Sequence, residues 1–145
     1  MPARPGDRLR VGALILAAGD ATRMGRAKAL LPLEGRTFLE SLIDRFARCR
    51  VGPIVVVLGR DAGDIQAVVK LSLARVVVNP EPSRGQLSSI RCGLEALGPD
   101  EVDGLFLAPV DAPRVRVETL LAMIAALPGT PLVVPTFHGR RGHPT

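Results

Sequence analysis

Apolar and polar positions fall in blocks along this chain, and the lengths of the blocks separate strands from helices. Val11 to Ala18 is an unbroken apolar run, the pattern of a strand buried on both faces of a parallel sheet. Ile54 to Leu58, Arg75 to Val78, Leu105 to Val110 and Pro131 to Thr136 repeat it and predict further strands. Helical spacing fills the intervals. Leu39, Leu42, Ile43 and Phe46 form one stripe after Thr37-x-x-Glu40, which reads as a capping box, and Gly52-Pro53 ends that helix. Ile65, Val68 and Val69 mark a short amphipathic helix. Leu87, Ile90, Leu94 and Leu97 predict an inward stripe on a helix from Gln86 to Leu97, and Leu120, Leu121, Ile124 and Leu127 do the same from Val117 to Leu127. Asn79 to Gly85, with two prolines, a serine and a glycine, is a loop. Strands alternating with helices give an α/β fold, a mostly parallel sheet with helices on both faces, joined by crossovers.

In such sheets ligands lie at the carboxyl ends of the strands. That rule places Gly19, Asn79 and Asp111, each just past a predicted strand, on one rim. The stretch after the first strand reads LILAAGDATRMGRAKALL from Leu14 to Leu31, in which Arg23, Gly25, Arg26 and Lys28 crowd together. An oligophosphate needs close backbone approach, inward N–H donors and cations. Gly19 and Gly25 allow the first two, while Arg23 and Lys28 supply positive charge. On residue types alone the stretch reads equally as a basic surface turn. Asp111, before Ala112-Pro113, is by itself an ordinary turn aspartate or a carboxylate placed for Mg²⁺.

The spacing is more specific than the composition. LAAG, three residues, RMG, two residues and a lysine shortly before LLP resembles the signature loop of the molybdenum-cofactor nucleotidyltransferases, the MobA-like NTP transferase family. It is neither a Walker loop nor a dinucleotide GxGxxG. The resemblance implies a three-layer, Rossmann-like sheet of the nucleotide-diphospho-sugar transferase type. It assigns catalysis to Arg23, Lys28 and Asp111. Leu16, Ala17, Ala18, Gly19, Arg23, Gly25 and Lys28 would hold the nucleotide, joined by Asn79, Gln86, Ser88 and Ser89 from the NPEPSRGQLSS segment. VDAP resembles the family's Asp-x-Pro metal motif, which makes Asp111 a Mg²⁺ ligand, and Gly142-His143-Pro144 resembles a turn that places His143, with Arg141, on the acceptor side.

Alanine at Ala18, where guanylyl-transferring relatives favour glycine, resembles the cytidylyl-transferring subgroup, so the implied substrate is CTP and the implied acceptor a molybdopterin-type phosphate. Relatives continue past the GHP turn and carry a second acidic ligand there. The expectation is therefore a chain truncated at its C-terminus, completed by a missing segment or by a partner such as a molybdoenzyme. A sugar-phosphate nucleotidyltransferase on the same scaffold, and a non-catalytic module that hands on nucleotide or cofactor, remain alternatives.

Composition narrows the rest. With 145 residues and 47% hydrophobic content, one domain over 11–145 is expected, preceded by a disordered basic tail at 1–10. The formal charge of +5 raises nucleic acid as a partner, but the excess is scattered and no Trp or Tyr offers a stacking platform, so none is expected. Cys49 and Cys92 lack metal-ligand spacing and read as small buried thiols in a reducing, cytoplasmic setting. Arg4, Arg8 and Arg10 before VGALILAAG mimic a secretion signal, yet the apolar block is short and runs into the phosphate loop. No segment reads as long enough to span a membrane.

Overall fold

Seven consecutive buried residues make Val11–Ala17 the strand around which the sheet is built. A computed structural model describes residues 8–19 and 25–145. In chain order its elements are β1 (Val11–Ala17), β2 (Pro32–Leu33), β3 (Arg36–Thr37), α1 (Phe38–Arg48), β4 (Ile54–Leu58), α2 (Ala62–Val68), β5 (Arg75–Val78), α3 (Gln86–Glu95), β6 (Gly104–Pro109), α4 (Val117–Ala126), β7 (Thr136–Phe137) and β8 (Arg140–Arg141). The main sheet has the order β5-β4-β1-β6 and every pair in it is parallel. Two short antiparallel pairs, β2 with β3 and β7 with β8, stand apart from it.

Because side chains alternate across a strand, the unbroken apolar runs supply two cores. Ala13, Ile15 and Ala17 of β1 join Val56, Phe106, Leu39, Phe46, Ile65 and Leu120 on one face. Leu14 and Leu16 join Val55 and Val57 on the other, against Ile90 and Leu97. Helices therefore cover both faces, as expected.

The capping box forms as the sequence requires. Thr37 Oγ1 accepts the Glu40 N–H at 3.2 Å, and the Glu40 carboxylate accepts the Thr37 N–H at 2.9 Å. Removing the cap with Thr37→Ala is expected to cost about 1 kcal/mol, a fall of about 3 °C in the melting midpoint. The Thr37 N–H, and then that of Lys70, holds the Glu40 carboxyl below its ordinary value. This stabilisation is complete above the ordinary carboxylate pKa of about 4.3 and is lost as pH falls through the lowered one. Urea unfolding of Glu40→Gln should lose that acid limb of the stability profile. Burial likewise pushes the Cys49 thiol up, as suits an inert core thiol.

Three parts of the fold differ from the periodicity reading. Leu87, Leu94 and Leu121 are about half exposed or more, where an inward stripe was expected. On α3 the buried residues are Ser89 and Gly93, with Ile90 packed partly buried against the sheet as expected. A Cβ on Gly93 would lie 2.2 Å from Leu14 Cδ1, so the helix sits too near the strands for leucines to fit between. On α4 the buried positions are Leu120 and Met123. Finally, the strand expected from Pro131 to Thr136 does not join the sheet. Only Thr136 and Phe137 are extended and paired, and they form a hairpin with β8.

Candidate active site

The carboxyl ends of β1, β4 and β6, with the loop after β5, converge on a cleft of about 440 Å³. Its walls are Leu16 to Gly19, Ala27 to Ala29, Arg60, the Pro82 to Ser89 segment and Pro109 to Asp111. Each wall is placed by a local device. Gly25, expected at the site, takes φ +64°, a backbone conformation that glycine alone adopts without strain, but does not itself line the cleft. Ala27 and Ala29 are buried on either side of Lys28, so the short turn Lys28–Leu30 is anchored by its methyls while the lysine projects outward.

Asp111 lies in a tight turn after β6, closed by the Ala112 N–H bonding the Pro109 carbonyl at 3.2 Å. The adjoining Val110 N–H continues the ladder to the Leu16 carbonyl at 3.0 Å, and the Arg45 guanidinium of α1 holds the Pro113 and Val115 carbonyls beyond it. The result is direct: Lys28 Nζ stands 3.3 Å from Asp111 Oδ2, although 83 residues separate the two. Both side chains are about half exposed. An ion pair of that kind is worth about 0 to 1 kcal/mol, little enough for a polyphosphate to displace.

Most residues expected at the site line this cleft. They are Leu16, Ala17, Ala18, Gly19, Lys28, Gln86, Ser89 and Asp111. Arg23 lies outside the described residues, together with its neighbours Asp20 and Ala21. Asn79 does not line the cleft. It is only 4% exposed and lies behind the wall, where its carbonyl oxygen accepts the Glu81 N–H and its amide donates to Ser88 and Ser89. Both of its amide hydrogens and its oxygen are engaged within this network. Ser88 bonds the Gly85 carbonyl and is absent from the cleft wall. His143 and Arg141 are exposed beside the β7–β8 hairpin and do not line the cleft either. Their stretch is fixed elsewhere, by Gly142 N–H to Pro135 and by Thr145, which exchanges two backbone hydrogen bonds with Leu107 at the open edge of β6.

Arg60 is the charged residue of the cleft wall that the sequence did not single out. It follows Gly59 at the end of β4, as Gly19 follows β1, so the strand-end rule was a signal for it. A Cβ on Gly59 would stand 2.8 Å from the Ala18 carbonyl oxygen, which shows how tightly these two strand ends meet.

Among the described residues, no group of three or more His, Cys, Asp or Glu side chains forms a metal cage. A single carboxylate suits Mg²⁺ of the substrate-borne kind, which takes one or two carboxylates and fills its shell with phosphate oxygens and water. Asp111 fits that role. A larger cavity of about 890 Å³ opens at the other end of the strands, near the start of β1 and β6. There Arg10 grips Asp103 at 2.9 Å and, by that hydrogen bond, draws its carboxyl down to about 2. This cavity lies away from the strand carboxyl ends, the rim at which open parallel sheets bind ligands.

The family profile described as the MobA-like NTP transferase domain matches residues 13–145. The chain belongs to that family. Its fold is that of the nucleotidyltransferases, as structural neighbours show: it is similar to Rv0371c from Mycobacterium tuberculosis, with a TM-score of 0.83 and 29% identity, over 95% of this chain and 70% of that one. A manganese complex of Rv0371c superposes with a TM-score of 0.80 at 28% identity, covering 93% and 68% of the two chains.

Among curated relatives, the chain is 34% identical to the bifunctional protein GlmU of Mycolicibacterium paratuberculosis over 83% of its own length and 26% of that protein. It is 33% identical to the nicotine blue oxidoreductase of Paenarthrobacter nicotinovorans, over 92% of this chain and 69% of that one. It is 26% identical to the molybdenum cofactor cytidylyltransferase of Escherichia coli, over 92% and 68%. The chain thus spans from about a quarter to about 70% of the length of these relatives. No helix among the described residues is long and apolar enough to cross a membrane.

Proposed function

We propose that this chain is the nucleotide-handling part of a Mg²⁺-dependent, cytoplasmic nucleotidyltransferase that moves CMP from CTP to a phosphate on a molybdopterin-type acceptor. The observation that carries the reading is the meeting of Lys28 and Asp111 at one end of a glycine-lined cleft. An oxygen of the acceptor phosphate attacks the α-phosphorus, the bond from that phosphorus to the bridging oxygen breaks, and pyrophosphate leaves with the electron pair. The attacking oxygen is already ionised near neutral pH, so no general base is needed. What the step requires is two anions held in line with their repulsion neutralised.

Lys28 and Arg60 supply positive charge, and Arg23 joins them in this reading. Asp111 would hold Mg²⁺, which when bound offsets charge on the phosphate oxygens. Ala18 supports cytosine as the base, while the relatives include both a cytidylyltransferase and a guanylyltransferase of the molybdenum cofactor. His143 and Arg141 are proposed for the acceptor, approached from outside the cleft.

Two other readings have specific support. Similarity to GlmU favours a sugar phosphate as acceptor. Similarity to an oxidoreductase over 69% of its length favours redox chemistry on the same scaffold. Calorimetry with CTP, GTP, ATP and UTP, each with and without Mg²⁺, followed by assay of pyrophosphate release with molybdopterin and with hexose 1-phosphates, separates them. The expected result is metal-dependent binding of CTP and release of pyrophosphate with molybdopterin. Preference for another nucleotide with a hexose phosphate would replace the acceptor. Oxidation of a reduced nicotinamide cofactor without pyrophosphate release would replace the reaction.

A further inference from the structure

The carboxamide of Asn79 can face only one way. Its Oδ1 accepts the Glu81 backbone N–H at 2.9 Å, and since a backbone N–H can only donate, the oxygen must point there. Nδ2 is thereby turned toward α3, where it donates to Ser88 Oγ at 2.9 Å and to Ser89 Oγ at 3.0 Å. Both amide hydrogens are now used, and both serine oxygens are committed as acceptors. Ser88 places its own proton on the Gly85 carbonyl at 2.7 Å.

Ser89 differs. It is 4% exposed, it lines the cleft, and its hydroxyl donates to no acceptor among the described residues. Its oxygen is satisfied by Asn79, so what remains to be used is the proton, which is free to meet an acceptor in the cleft.

We propose that Asn79 fixes the hydrogen-bond polarity of this cleft, forcing Ser89 to present a proton, and that the nucleotide meets it with an acceptor atom of its base or ribose. The sheet order argues for the nucleoside half. Asn79 follows β5, whereas Asp111 follows β6, and β4 and β1 lie between them. The Asn79 strand end thus lies about 14 Å from that of Asp111, and Ser89, on the α3 helix that packs over β1 and β4, lies between the two, so phosphates held at the Lys28 and Asp111 end leave the base and ribose to reach Ser89. Asn79 is thus a positioning residue that acts through Ser89, and it makes the site selective for a ligand edge that accepts at this point. The inference rests on the nucleotide-binding reading above.

The test is a double-mutant cycle on nucleotide affinity, measured by calorimetry in Mg²⁺ buffer with whichever of the four triphosphates the wild type binds. Asn79→Asp keeps the shape and the bond from Glu81 but cannot donate, so Ser89 must turn its proton inward and offer lone pairs to the cleft. Ser89→Ala removes the hydroxyl. Each is expected to weaken binding about tenfold, and the double variant should bind no more weakly than Ser89→Ala alone. Inorganic tripolyphosphate, which has no base or ribose, should bind Ser89→Ala as it binds wild type.

A penalty for Asn79→Asp that persists undiminished in the Ser89→Ala background would overturn the relay, because it would then be charge repulsion. Weakened tripolyphosphate binding by Ser89→Ala would overturn the nucleoside assignment. If Asn79→Asp does not fold, Ser89→Ala decides alone, and unchanged nucleotide affinity sinks the proposal. Failure of the wild type to bind any of the four triphosphates would remove the nucleotide reading itself, whereas binding with an additive cycle removes only the relay.

Discussion

Lys28→Ala and Asp111→Ala are each expected to lower the turnover of pyrophosphate release by about 10² to 10³ while leaving the melting midpoint nearly unchanged. The two effects separate because the groups do different work in the two states. In the structure each neutralises the other across 3.3 Å, half in solvent, and such a pair contributes about 1 kcal/mol or less to stability. In the proposed reaction the same ammonium would face developing charge on phosphorus-bound oxygens, and the same carboxylate would hold the metal that offsets the rest. Lys28→Arg tests geometry separately from charge, since a planar guanidinium cannot place its charge where a single ammonium sits. Quench-flow turnover and thermal melting of the variants check the prediction. Wild-type turnover in both alanine variants would remove this cleft as the site.

Gly93→Val is expected to destabilise the fold by about 2 kcal/mol, about 6 °C in melting midpoint, and to weaken nucleotide binding as well. The geometry leaves no room for a side chain. The first added carbon would meet Leu14 Cδ1 at 2.2 Å and both Leu14 Cδ2 and Val57 Cγ2 at 3.0 Å, and Leu14 and Val57 are fully buried. Replacing a helical glycine ordinarily gains up to about 1 kcal/mol of helix propensity, so a net loss isolates the packing term. Binding suffers because the strain lifts α3 from the sheet, and α3 carries Gln86 and Ser89 into the cleft. Melting curves and calorimetry on one preparation read both effects.

The two predictions mark where the sequence was sufficient and where it was not. Local rules are read within a few residues, and those parts were legible: the strands Ile54–Leu58 and Arg75–Val78, the Thr37 and Glu40 capping box, and the buried stripe of α1. The rim of strand ends carrying Gly19 and Asp111 was legible too, because parallel topology places every carboxyl end on one side. The chain alone also carried the family.

Tertiary structure decided the remainder, since each point depends on distances between segments remote in sequence. Hydropathy cannot tell that α3 lies so close to β1 that glycine and serine face inward and leucines outward. Nor can residue type tell that Asn79 is buried behind the wall, that Arg60 belongs to it, or that Lys28 reaches Asp111. Side-chain periodicity reports which face is apolar, but how near two elements approach, and which polar group then has a partner, is settled only when the whole fold packs.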